Sequence, residues 1–135
     1  MEEPDATDPS NSGPSDDLVE LAHRMFDLAR EGDAERLMAY VDSGVPADLT
    51  DAAGNTLVML GAYHGHPAVV DGLAKRGADV DRLNDRGQSP LAGAVFKDEE
   101  EVVAALLSHG ADPDIGSPTA RETAVMFGSA LGDLA

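Results

Sequence analysis

Residues 54–86 read GNTLVMLGAYHGHPAVVDGLAKRGADVDRLNDR, and residues 87–119 read GQSPLAGAVFKDEEEVVAALLSHGADPDIGSPT. The two stretches follow one plan. Gly54 and Gly87 lie 33 residues apart, and the same step links Gly32 to Gly65 and joins Gly44, Gly77 and Gly110. Within each unit two turn positions are 12 apart: Gly32 and Gly44, Gly65 and Gly77, Asp98 and Gly110. A fixed period of this length marks a stacked repeat, in which each unit buries its apolar face against its neighbours.

Each part of the unit has a local cause. Thr56 and Ser89 supply hydroxyls to cap an inner helix, and Pro90 takes the first helical position, where its missing N–H costs nothing. Small residues (Gly61 and Ala62, then Ala92, Gly93 and Ala94) allow that helix to approach its neighbours. A tight turn follows at Gly65 or Asp98, Asp being among the few side chains that tolerate positive φ. The outer helix then carries Val69, Val70, Leu73 and Ala74 in one unit and Val102, Val103, Leu106 and Leu107 in the next, one apolar stripe. Lys75 and Arg76 fall near the negative end of one helix dipole, and Glu99 to Glu101 near the positive end of another. Gly77 and Gly110 stop these helices.

The run Gly65-His66, Val69-Val70, Gly77-Ala78-Asp79-Val80-Asp81 resembles the ankyrin signature G-H-x-x-V-V…G-A-D-V-N. Gly54-Asn55-Thr56 and Ser89-Pro90-Leu91 resemble its G-x-T-P-L-H segment, with Met59 and Ala92 where the family has His. The chain is thus identified as similar to short, bacterial-type ankyrin-repeat proteins. The fold implied is all-α: a solenoid of stacked helix-turn-helix units joined by short finger loops. Residues 51–83 and 84–116 are the two internal repeats, 17–50 an N-terminal capping repeat, and 117–135 a truncated C-terminal cap.

Outside the repeats the pattern changes. Residues 1–16 hold Pro, Ser, Asp, Asn and Gly with little apolar content, which implies a disordered acidic tail. Helical spacing starts at Leu18 and continues through Leu21, Ala22, Met25, Leu28 and Ala29, with Asp17 as the expected N-cap, Glu20 completing a capping box, and Gly32 closing the helix. At the other end the step from Ser89 to Thr119 is 30, so the last finger is three residues short. Too few residues follow Gly128 for a full outer helix, so the helix of residues 99–108 is expected to be partly uncovered.

The chain has 26 Asp and Glu against 9 Lys and Arg, a formal charge of −17. Six of the acids and none of the bases lie in residues 1–17. Long-range repulsion argues against nucleic acid and anionic lipid as partners. Two readings of the acidity stand: a basic protein partner, or solubility alone. There is no Cys, hence no disulfide framework or thiol nucleophile. With no secretory leader pattern and no apolar run near the ~20 residues that span a bilayer, the expected location is cytoplasmic.

Catalytic patterns are missing: no phosphate-binding glycine loop, nucleophile elbow or H-E-x-x-H occurs. His64 and His66 form an H-x-H pair, but His66 is the structural His of the resemblance and no ligand-spaced carboxylate stands nearby. Asp79/Asp81 and Asp112/Asp114 sit in the finger motif, which assigns them backbone hydrogen bonds. His23 and His109 read as surface or packing residues. No catalytic residue, metal or cofactor is expected.

The resemblance instead implies protein binding on the concave face, through finger tips and the inner-helix residues before each turn. Carried over, these are Thr50, Ala52, Ala53, Leu83, Asp85 and Arg86 on the fingers. On the helices they are Arg30, Glu31, Tyr63, His64, Phe96, Lys97, Met126 and Phe127. Aromatic rings and Arg are frequent interface anchors; the alternative is that Tyr63 and Phe96 simply pack on each other within the inner layer. The functions implied are an adaptor or regulator, a neutraliser of a basic protein in the manner of an immunity protein or antitoxin, or a self-associating module. A monomer is expected in preference to a homo-oligomer.

Overall fold

The computed structural model describes residues 16–127. Residues 1–15 of the expected tail therefore lie outside the described residues, as does the end of the C-terminal cap, while Asp16, counted with the tail, is already helical. Seven helices are described: α1 (Asp16–Glu31), α2 (Ala34–Asp42), α3 (Leu57–Tyr63), α4 (Pro67–Lys75), α5 (Pro90–Phe96), α6 (Glu100–Ser108) and α7 (Ala120–Met126). The only sheet-like feature among the described residues is an isolated bridge between Thr50 and Thr56. The architecture is all-α, as expected. Helices α1, α3, α5 and α7 stack as an inner row, each against the next, while α2, α4 and α6 form the outer row.

The hydroxyls of Thr56, Ser89 and Thr119 cap α3, α5 and α7, accepting from the N–H groups of Met59, Ala92 and Glu122 at 3.1, 3.0 and 3.0 Å. Glu122 returns a bond to the Thr119 N–H at 2.9 Å, completing a capping box. Thr56 and Ser89 are fully buried, so no water could replace these bonds. Between the rows lie Leu57, Val58, Leu91, Val95, Val69, Val70, Leu73, Val102 and Leu106, all buried.

The turn between paired helices takes positive φ at Gly32, Gly65 and Asp98, the last at 58°. Asp98 is the substitute the spacing required. Residue 66 packs back on the previous turn: the His66 ring lies over Gly32, where any β-carbon would collide with it. Its Nε2 stands 2.7 Å from the Arg30 carbonyl oxygen. One repeat later Glu99 places its carboxylate over Gly65 in the same way.

The finger acids act on backbone. Asp48 accepts from the Asp79 N–H at 3.0 Å and Asp81 from the Asp112 N–H at 2.9 Å, tying successive repeats. Asp79 and Asp112 each accept from the N–H two residues on, at 2.9 Å. The outer row is tied by charge: Arg76 grips Asp42 through two bonds of 2.7 and 3.0 Å, and His109 Nε2 lies 2.8 Å from Asp71 Oδ1.

Three expectations need amendment. Asp17 is inside α1, which begins at Asp16, so it is not the N-cap and the cap falls outside the described residues. Leu18, placed on the apolar stripe, is exposed; burial begins at Met25, where α2 and α3 pack. On α6 only Leu107 of the stripe is exposed, because α4 and α5 already bury Val102, Val103 and Leu106. The larger apolar exposure falls on α7, at Val125 and Met126.

Candidate functional site

The first two fingers are built alike. Asp51 accepts from the N–H groups of Ala53 and Asn55, and Asn84, 33 residues on, accepts through its side-chain oxygen from Arg86 and Gln88. The Asn84 amide donates to Asn55 Oδ1 at 2.9 Å and to Gln88 Oε1 at 2.8 Å, so the fingers are cross-linked side by side. A backbone bond from Asp85 N–H to the Ala53 carbonyl, 3.0 Å, adds to this. The shortened last link departs from the plan. There Ser117 N–H donates to the Gly87 carbonyl at 3.0 Å and Arg121 N–H to the Pro113 carbonyl at 3.2 Å.

Between this finger row and the C-terminal ends of α3, α5 and α7 runs a groove of about 550 Å³. Its walls include Tyr63, Phe96, Met126 and Phe127, and its floor Met59, Ala92 and Gly93. The rings are exposed: Tyr63 39 %, Phe96 50 %, Phe127 56 %. Phe96 and Phe127 meet edge to face at 5.1 Å between centroids. Tyr63 pairs with His64 at 5.7 Å and carries the Lys97 ammonium 4.9 Å over its ring. Tyr63 and Phe96 are the last residues of α3 and α5, and Phe127 is the C-cap of α7, so the rings recur at one level of the inner row.

Of the residues assigned from the sequence, Ala53, Tyr63, Arg86, Phe96, Met126 and Phe127 line this groove. Arg30, Thr50 and Ala52 instead line a second hollow, between α1 and the first finger, which Ala53 also borders. Arg30 is neutralised there by Asp27 at 3.1 Å and Asp51 at 4.0 Å. Glu31 is exposed at the end of α1, and Leu83 and Asp85 line neither hollow. The Asp85 carboxylate folds over Gly54 of the preceding finger. His64 and Lys97 flank the groove through Tyr63. Partial burial, and then the positive charges of Arg30, His66 and Lys97, push the His64 pKa below its ordinary 6.5.

Sequence reasoning missed Met59, Asn55, Asn84, Gln88 and Thr123, which also line the groove. Met59 and Ala92 had a signal: they stand where the resembled family keeps His. With Met and Ala there, the floor is apolar.

No helix among the described residues is long and apolar enough to cross a membrane. No cluster of three His, Cys, Asp or Glu able to hold a metal ion occurs among them either.

A family model described as ankyrin repeats in three copies matches residues 25–117. A putative ankyrin repeat protein of Pseudomonas aeruginosa is 43 % identical over 51 residues, 38 % of this chain and 30 % of that protein. Serine/threonine-protein kinase 12 of Arabidopsis thaliana is 36 % identical over 88 residues, 65 % of this chain and 19 % of the kinase. A putative ankyrin repeat-containing protein of Treponema pallidum is 31 % identical over 97 residues, covering 71 % of this chain and 33 % of that protein. The chain thus spans a third or less of the length of these relatives.

Proposed function

Because this chain belongs to the ankyrin-repeat family, whose repeats are generally protein-interaction modules and typically non-enzymatic, we propose that it is a non-catalytic adaptor or regulator that docks one protein in the groove between the fingers and α3, α5 and α7.

The observation that carries this reading is the set of large apolar side chains left uncovered along one concavity. Tyr63, Phe96, Met126 and Phe127 come from three successive inner helices and share that groove. Scattered exposed hydrophobics need no explanation, whereas contiguous ones in a concavity mark binding surfaces. Aromatic anchors of this kind carry most of the energy of a typical interface.

The test is affinity capture from the native host with the full chain as bait, beside a Tyr63→Ala/Phe96→Ala double variant. A protein retained by the first should bind the second weaker by about 2 kcal/mol or more, as for interface anchors. Each ring is about half exposed, so each loses roughly half the 3–5 kcal/mol that a buried ring costs on truncation. Circular dichroism should still report a folded helical stack. Full-strength capture by a folded double variant would refute the reading.

A further inference from the structure

The groove has a charge opposite to that of the chain. Its lining contains Arg86 and no carboxylate, in a molecule with nearly three acids for every base. The acids are used elsewhere. Asp48, Asp51, Asp79, Asp81 and Asp112 accept backbone N–H groups of the fingers, and Asp85 and Glu99 fold over glycines of the preceding unit. Asp42 and Asp71 are held on the outer row.

The bases fall into two groups, with and without a carboxylate partner. Arg30, Arg36, Lys75, Arg76 and Arg121 each meet a carboxylate within 4.0 Å. Arg24, Arg82, Arg86 and Lys97 make no ion pair among the described residues, despite the surplus of acids, and two of these four, Arg86 and Lys97, bear on the groove. Both stand at the groove: Arg86 in its wall and Lys97 over the Tyr63 ring. A cation on a ring face keeps its donors directed outward, available to an incoming acceptor.

We propose that the groove takes an acidic-apolar peptide segment of the partner, an aromatic or aliphatic side chain seated between Tyr63, Phe96 and Phe127 with a neighbouring Asp or Glu carboxylate on Arg86 and Lys97. This rests on the docking reading above and gives the ligand its chemistry. A basic segment would meet two unpaired cations here and no carboxylate. The negative field of the chain as a whole keeps polyanions such as nucleic acid out, while one or two carboxylates fixed beside an apolar anchor approach close enough for the local cations to prevail.

The experiment pans phage-displayed random 12-residue peptides against the full chain. Selected peptides are then measured as synthetic peptides against Tyr63→Ala/Phe96→Ala and Arg86→Gln/Lys97→Gln variants. We expect selection of sequences with Asp or Glu within a few residues of an aromatic or aliphatic residue. Their binding should weaken about fivefold or more on Arg86→Gln/Lys97→Gln, the size of two exposed ion pairs. Asn or Gln analogues of the same peptides should bind both proteins alike. Peptides that need Tyr63 and Phe96 but are neutral, rich in Lys or Arg, or indifferent to Arg86 and Lys97 would overturn the charge assignment alone. Peptides that bind the ring variant at full strength, or no selection at all, would overturn the docking reading with it. Displacement of the peptide by a single-stranded oligonucleotide would overturn the choice of ligand class.

Discussion

Two glycines on neighbouring inner helices should respond to the same substitution with opposite sign. Gly61 in α3 and Gly93 in α5 both sit inside helices, where Ala is favoured over Gly by about 1 kcal/mol. At Gly93 a β-carbon would lie 3.5 Å from Tyr63 Cδ1 and 3.6 Å from Met59 Sδ, ordinary contact distances. Gly93→Ala should therefore realise most of that propensity and raise stability by up to ~1 kcal/mol. At Gly61 the methyl would stand 2.5 Å from Val69 Cγ1 and 3.0 Å from its Cβ. Val is stiff at χ1 and fully buried here, so it cannot swing away and α3 and α4 must part. Overpacking of this kind costs about 1–3 kcal/mol. Set against the helical gain, Gly61→Ala should be destabilising by roughly 0–2 kcal/mol.

The assay is urea or thermal unfolding of the full chain followed by far-ultraviolet circular dichroism. For a body of this size ~1 kcal/mol moves the melting temperature by roughly 3–6 °C. The register supplies a check, because Ala94 occupies the position of Gly61 one repeat later and is buried without harm. Gly61→Ala combined with Val69→Ala should lose less than the two single changes add up to. Two single variants shifting in the same direction, or strict additivity of the pair, would refute the packing argument.

Asp98 pays a backbone cost at φ 58° that Gly would not, so Asp98→Gly should raise the unfolding midpoint, and a clear fall would mean its side chain contributes more than its conformation. The acid limb of the stability curve should have two parts. Arg76 holds the Asp42 carboxyl below its ordinary 3.8, His109 and Lys75 do so for Asp71, and Arg121 for Asp114. The stability these give is complete above the ordinary value and is lost as pH falls below it. Burial, with Asp112 and Asp79 nearby, instead raises Asp81, so its ionisation weakens the fold as pH rises past 3.8. Asp81→Asn should stabilise the protein at neutral pH while leaving the lower limb in place, a result read from unfolding midpoints between pH 7 and pH 2.

The fold was legible because each repeat position has one physical job. Positive φ at Asp98, buried hydroxyl caps at Thr56 and Ser89, and the small residues of α3 follow from residue type and spacing alone. The start of α1 was less legible: Asp17 has the chemistry of a cap, yet the helix already includes Asp16, and residue type alone does not say how far a helix runs back. The candidate site was legible only in part. The family resemblance brought Tyr63, Phe96, Arg86, Met126 and Phe127 to one face, but it could not separate the groove from the hollow by α1 that takes Arg30 and Thr50. It was also blind to Asn84, whose amide joins two fingers through contacts 29 residues apart.

Net charge was the least informative of the sequence features, for a reason visible in the fingers. A carboxylate that accepts backbone N–H groups is spent on the scaffold, and it adds to the formal −17 without facing a partner. Asp51, Asp79 and Asp112 are of this kind. Surface charge in a repeat protein is thus divided by register: the finger positions collect acids because loops there need acceptors, and the ends of the inner helices are free to carry whatever the ligand requires. In this chain those ends carry the rings of Tyr63, Phe96 and Phe127 and, at Lys97, a cation with no ion pair among the described residues. On the docking proposed above, the acidity of the whole governs which molecules approach, and the groove governs which of them stay.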